Sequence, residues 1–196
     1  MTSACLRETV PAEVQILLVG IGGQGIQLIG KTLALAATTE GKHAMLAADY
    51  GGEVRGGPSN ASVVIGATPL RSLPILPSAG AAIVANHKFT GPVPERLRQG
   101  GLLLVNSSIV DGNAGRGTHR VVEVPATALA AELKAPQSAG FVLLGAFNRL
   151  TGLVADEQLV AAMTSLLPPY RAQHAATNAE ALAVGAAAVA EQEVLS

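Results

Sequence analysis

The 196-residue sequence predicts an α/β fold: three-layer and Rossmann-like, with a mostly parallel sheet and a helical C-terminal third. Three observations carry that expectation. The apolar run VQILLV at 14–19 leads directly into GIGGQG at 20–25. Short β-branched runs bounded by Gly, Pro and Asn then recur as far as residue 125. From residue 126 onward the apolar residues take up helical spacing instead.

In chain order, residues 1–12 read as an N-terminal arm and 13–190 as the domain. Residues 14–19 have the uniform apolarity of a strand buried on both faces. QGIQLIGKTLALAATTEG places Ile26, Leu28, Ile29, Leu33 and Leu35 along a helix that Gly41 stops. HAMLAAD (43–49) reads as a second strand, which makes the first fifty residues a parallel β–α–β unit. Further strands are predicted at 61–66, 81–86, 102–108 and 120–125, with a short helix and turn within 91–101. ATALAAELK, SAGFVLLGAFNRLTG, ADEQLVAAMTSLL and NAEALAVGAAAVAEQE supply the closing helices, and Pro168 and Pro169 interrupt them.

Composition narrows the function. Hydrophobic residues make up 49% of the chain and charged residues 14%, yet no apolar run approaches the ~20 residues of a membrane span. The apolar surplus lies in alanine-rich segments. It reads as surface reserved for other chains, with alanine used as helix filler the alternative. A net charge of −1 and 3% aromatics give neither a basic stripe nor a stacking platform for nucleic acid. The single cysteine, Cys5, excludes an internal disulfide and a thiolate-held cluster on this chain alone. The first residues lack the pattern of a secretory signal, so the expected compartment is the cytoplasm. His43, His87, His119 and His174 have no metal-ligand spacing. Ser107 and Ser108 fit the capping of a following turn better than ligand contact.

Gly20, Gly22 and Gly25 satisfy G-x-G-x-x-G between a strand and a helix, the setting of a pyrophosphate-binding turn. Asp49 ends the second strand, where a ribose-binding acid would stand, so an NAD(P)-binding protein is one reading. The second strand, however, runs into DYGGEVRGGPSN (49–60). Four glycines there surround Glu53 and Arg55, a backbone suited to close approach with a guanidinium that suits a carboxylate or phosphate. Internal pairing of Arg55 with Glu53 or Asp49 is the alternative.

GIGGQGIQLIGKTLALAA followed by DYGGEVRGGPSNASVVIG resembles the gamma subunit of 2-oxoacid:acceptor oxidoreductases, found alone or fused within pyruvate:ferredoxin oxidoreductase. The resemblance spans residues 14–186 and takes in Gly100–Gly101 leading to Asn106, then Gly145, Asn178 and Gly185. At Gly140 the chain departs from relatives that carry Asn, so that position is expected to lack one hydrogen bond and is given no role. The YGGEVRGG loop is more similar to the pyruvate and 2-oxoglutarate branches than to the indolepyruvate one.

The resemblance implies a complex that oxidatively decarboxylates a 2-oxoacid to its acyl-CoA and passes electrons to ferredoxin or NAD. Thiamine diphosphate with Mg and 4Fe-4S clusters is expected on alpha, beta and delta-type partners, and none on this chain alone. Coenzyme A is the co-substrate. The residues it assigns to ligand or partner contact are Gly20, Gly22, Gly23, Gln24, Gly25, Tyr50, Glu53, Arg55, Gly56, Gly57, Asn60 and Asn106. No residue of this chain is expected to be catalytic or to bind metal. A pure interaction module, whose glycine loops only pack against partners, is the third reading.

Overall fold

The run at 14–19 becomes the middle of β1 (Glu13–Ile21) in the computed structural model, which describes residues 13–50, 57–71, 73–89, 92–111 and 116–194. The order continues with α1 (Ile26–Thr39), β2 (His43–Tyr50), β3 (Pro58–Gly66), β4 (Ala79–Val84), β5 (Leu97–Asn106) and β6 (Arg120–Val124). Four helices follow: α2 (Ala126–Glu132), α3 (Ala139–Thr151), α4 (Asp156–Leu166) and α5 (Ala175–Val194). The six strands form one sheet in the order β2-β3-β1-β4-β5-β6.

The sheet is mostly parallel, as the sequence predicts, with one correction. β3 lies between β1 and β2 and runs antiparallel to both, so β1 and β2 point the same way without being neighbours. A β-branched strand carries no direction in its composition, so the β–α–β pattern could not reveal this insertion. The helix expected within 91–101 shrinks to a 3₁₀ turn at Pro94–Arg96, because β5 begins already at Leu97. Pro168 and Pro169 likewise open a 3₁₀ segment, Pro169–His174, between α4 and α5.

Strand alternation divides the core between two faces. Ile16, Leu18, Val63, Ile83 and Leu104 meet α1 through α5 on one face. Leu17, Val19, Val64, Ala82 and Leu103 point the other way. There the third layer is built from connecting segments, which press Leu70, Leu76, Val93 and Val110 onto the sheet. Among the described residues no helix is long and apolar enough to cross a membrane.

The helical layer is itself two deep. α3 is buried continuously from Gly140 to Asn148, with the sheet beneath and α5 above. Its contact with α5 is backbone on backbone. A Cβ at Gly145 would stand 1.9 Å from the Leu182 carbonyl oxygen, and one at Gly185 would stand 1.9 Å from that of Val142. Those pairs run in opposite senses, so the helices cross antiparallel with both glycines at the crossing. On α1, Gly30 lets the helix lie flat, since a Cβ there would meet the Leu18 and Leu46 side chains at 2.9 Å.

Polar groups pin the edges of this layer. Asn148 donates to the Val154 carbonyl and to Asp156 and accepts from the Val154 amide, which fixes the turn from α3 into α4. Glu40, at the end of α1, accepts from Lys42 Nζ at 2.8 Å and from the Ala155 amide at 2.5 Å. The Lys42 bond first, and the Ala155 amide second, hold the Glu40 carboxyl below the ordinary glutamate range against a smaller opposing effect of burial.

Two outcomes are expected. Gly145→Ala and Gly185→Ala should each cost stability at or above the upper end of the roughly 1–3 kcal/mol typical of overpacking, because a backbone carbonyl cannot swing aside. Thermal unfolding of each variant checks this. A depressed carboxyl stabilises the fold fully above its unfolded pKa, and that contribution is lost as pH falls through the lower folded value. Denaturant midpoints measured down the acid limb should therefore fall less steeply in Glu40→Gln than in the parent chain.

Candidate functional site

The sheet gathers both glycine motifs at one end. β1, β2, β4, β5 and β6 all finish there, and the antiparallel β3 begins there. GIGGQG leaves the end of β1, and Gly57 precedes β3 on the neighbouring strand. The Gly22 amide donates to the Gly57 carbonyl at 2.9 Å, so the two motifs are joined directly. Tyr50 and Asn60 lie at the same end, on β2 and β3. Glu53, Arg55 and Gly56 fall outside the described residues, between the flanking Tyr50 and Gly57.

Within the turn, Gln24 supplies the bracing. Its Oε1 accepts the Ile21 amide at 3.0 Å and its Nε2 donates to the Ala85 carbonyl at 3.3 Å, which ties the ends of β1 and β4. Gly20 makes room for this: a Cβ there would be 2.9 Å from Gln24 Oε1 and 2.7 Å from Ile26. Gly23 and Gly25 hold φ of 98° and 74°, the left-handed region that glycine occupies without penalty. Gly25 is also the N-cap of α1, and no side chain caps that helix. In a dinucleotide turn the third glycine permits close helix–sheet packing. Here no atom stands within 4 Å of a Cβ built on Gly25, and Gly30 does that packing instead.

Gly140 has a part that its departure from the family pattern concealed. A Cβ there would be 2.9 Å from the Gln24 carbonyl oxygen and 3.3 Å from Ile29. The start of α3 therefore rests on the glycine turn, and α3 too has no side-chain cap on its N-terminus.

Asn106, at the end of β5, is 1% exposed, and its amide is committed within the fold. Its Nδ2 donates to Thr127 Oγ1 at 2.8 Å and to the Ala85 carbonyl, and its Oδ1 accepts the Thr127 amide. Ser108 Oγ accepts the Ala128 amide at 3.2 Å, in line with the capping expected of it. Together they cap α2 from outside its own sequence. Asn60 differs. Its carbonyl accepts Gln27 Nε2 at 2.6 Å, while Asn60 Oδ1 and Gln27 Oε1 are buried with no partner among the described residues. Two buried acceptors call for an N–H or O–H donor.

Two small cavities flank the turn. One, of about 180 Å³, is lined by Gly23, Gln24, Asn106, Ile109, Gln137 and Gly140. The other, of about 100 Å³, adjoins Gly25 and adds Arg171, His174 and Asn178. Asn178 is held by Ser138 Oγ at 2.8 Å. Uncapped amides at the starts of α1 and α3, beside Arg171 and His174, form an environment suited to negative charge. Sequence reading missed Gln27, Thr127, Gln137, Arg171 and His174. They enter through tertiary packing, and no motif marks them. Among the described residues no group of three or more His, Cys, Asp or Glu could hold a metal ion.

The sequence profile of the pyruvate ferredoxin/flavodoxin oxidoreductase family matches residues 15–188. The chain belongs to this family. It is similar to 2-oxoglutarate synthase subunit KorC of Methanocaldococcus jannaschii, 31% identical over 165 residues that cover 83% of this chain and 88% of KorC. Against ketoisovalerate oxidoreductase subunit VorA of Methanothermobacter thermautotrophicus the identity is 33% over 148 residues, 74% of this chain but 30% of VorA. The gamma subunit of a keto/oxoacid ferredoxin oxidoreductase from Geobacter sulfurreducens superposes with TM-score 0.74 at 26% identity, covering 90% of this chain and 95% of that one. This gamma-type chain is a subunit of a 2-oxoacid:ferredoxin oxidoreductase complex.

The bracing of the turn can be measured on the chain itself. Gln24→Ala removes two hydrogen bonds and leaves the half-buried Ile21 amide unmet, so it should cost about 1 kcal/mol or somewhat more in urea unfolding. Asn106→Ala should cost a similar amount through loss of the α2 cap.

Proposed function

We propose that this gamma-type subunit lines the coenzyme A path of a complex that converts a 2-oxoacid, CoA and an oxidised acceptor into acyl-CoA, CO₂, a proton and the acceptor reduced by two electrons. The observation that carries the reading is the Gly22–Gly57 hydrogen bond. It joins Gly57, two residues after Arg55 in sequence, to the turn from which the uncapped α1 starts, beside the uncapped α3. A phosphate finds there backbone donors, aligned helix dipoles and nearby cations. The chain's own contribution is to bind and orient: Gln24 and Asn106 hold the frame, Gly23 and Gly25 present backbone to the ligand, and Arg55, outside the described residues, is the proposed phosphate contact. The buried acceptors of Gln27 and Asn60 would take an amide N–H, of which the CoA arm has two.

Companion alpha, beta and delta-type subunits would hold thiamine diphosphate with Mg and the 4Fe-4S clusters in this proposal. Thiamine diphosphate, when bound there, supplies carbanion stabilisation after decarboxylation. Pyruvate, 2-oxoglutarate and branched or aromatic oxoacids are the candidate substrates, and ferredoxin or an NAD-reducing subunit the acceptor. The cytoplasm is the proposed compartment. The NAD(P)-binding alternative gains no support from the geometry. With β3 inserted, Asp49 stands two strands from the turn, on the order of 10 Å away.

In the assembled complex, Arg55→Ala should raise the KM for CoA by about tenfold, one charge-assisted contact, and leave the KM for the oxoacid unchanged. Steady-state kinetics with each substrate varied separately checks it. An unchanged CoA dependence together with weaker assembly would support the pure interaction module instead.

A further inference from the structure

The face of the sheet away from the helices carries features that the fold itself does not use. On the strap between β3 and β4, Leu73 is 72% exposed and Ile75 76%, while Pro74 and Leu76 between and after them are buried. Two branched aliphatic side chains are thereby held outward on a segment that its neighbours anchor. Beside them is a depression of about 450 Å³ whose walls include Leu17, Val19, Ala47, Ser62, Ile75 and Arg96. Small residues on β2 and β3 leave this hollow. A projecting apolar pair next to an apolar hollow is the relief of a protein interface.

Charge indicates what covers it. Residues 67–125, from the end of β3 to the start of α2, contain six Lys and Arg against three Asp and Glu, with Arg116 paired to Glu123. Residues 126–194, the helical side, contain three against six. Arg71 is exposed just before the apolar pair, and Arg96 is fixed beside it by donating to the Leu76 carbonyl at 2.7 Å. A second copy of this chain, seated face to face, would set this basic rim against itself, whereas an acidic rim would complement it. The stretch similar to this chain makes up only 30% of VorA.

We infer that the loop-covered face, centred on Leu73 and Ile75, is where a companion subunit of the same oxidoreductase seats, through an apolar groove with an acidic rim. This rests on the reading of the chain as one subunit of a complex.

The test is co-expression of the full chain with its companion subunits, followed by titration of the purified chain against them. Leu73→Asp with Ile75→Asp should weaken association by about 30-fold or more, the scale of an interface hot spot, while the melting temperature of the chain alone stays at the parent value. Arg71→Glu should weaken it several-fold and flatten its dependence on salt. Glu180→Lys, on the helical side, should leave it unchanged. If the aspartate variant does not fold, Arg71→Glu and Leu73→Ser decide the matter alone. Parent-like association of these variants overturns the inference. So does conversion of a homodimer to monomer with companion binding intact. A parent chain that binds no thiamine- or cluster-bearing subunit at all refutes the functional proposal instead, and is recognised before any variant is made.

Discussion

The architecture depends on α3 having no side chain along two of its contact lines. At its start Gly140 lets the backbone touch the Gln24 carbonyl, and one and a half turns later Gly145 lets it touch α5. Because α3 is buried on every side, it cannot tilt to relieve a clash at one contact without opening the other. The sheet, the glycine turn and the outermost helix are therefore set relative to one another by a single element. Gly185 completes this from the α5 side, so the alanine-rich composition of the last helix serves close approach as well as helix propensity.

A division of labour follows at the end of the sheet. Two polar side chains that the resemblance assigns to ligand or partner contact, Gln24 and Asn106, are engaged in closing the fold. In the proposed site, recognition falls to backbone amides and to Arg171. Backbone donors are held by secondary structure and need no reorganisation when an anion arrives, which suits the co-substrate positioning proposed above. α2 differs from α1 and α3 because Asn106 and Ser108 occupy its N-terminus. The electrostatic pull is thereby concentrated near the glycine turn.

Much of this was legible in the sequence, and the exceptions share a cause. Strand VQILLV, the glycine turn, the helix from Ile26 and the closing helices all announce themselves by local period and punctuation. The family motifs took in Gly57 and Asn106, and both lie at the end of the sheet from which the glycine turn leaves. Three things could not be read: the antiparallel course of β3, the fit of Gly140 against Gln24, and the placing of Arg171 and His174 beside the turn by the Pro169–His174 segment. Each depends on which surfaces meet across large sequence separations, and a single chain's periodicity carries no such term. Gly140 is the clearest case. As a missing asparagine it looked like a loss, and only the neighbour at 2.9 Å shows why nothing larger fits.

The course of β3 has one more consequence. Because β2 and β3 are adjacent and antiparallel, the chain between Tyr50 and Gly57 only has to connect two neighbouring strand ends. It need not cross a face of the sheet, as the links among β4, β5 and β6 must. Residues can be exchanged, added or removed there without rethreading any element of the core. The Arg55 segment is thus the natural place for descent with modification. Relatives could diverge in what they admit at this end of the sheet while the same scaffold is inherited unchanged.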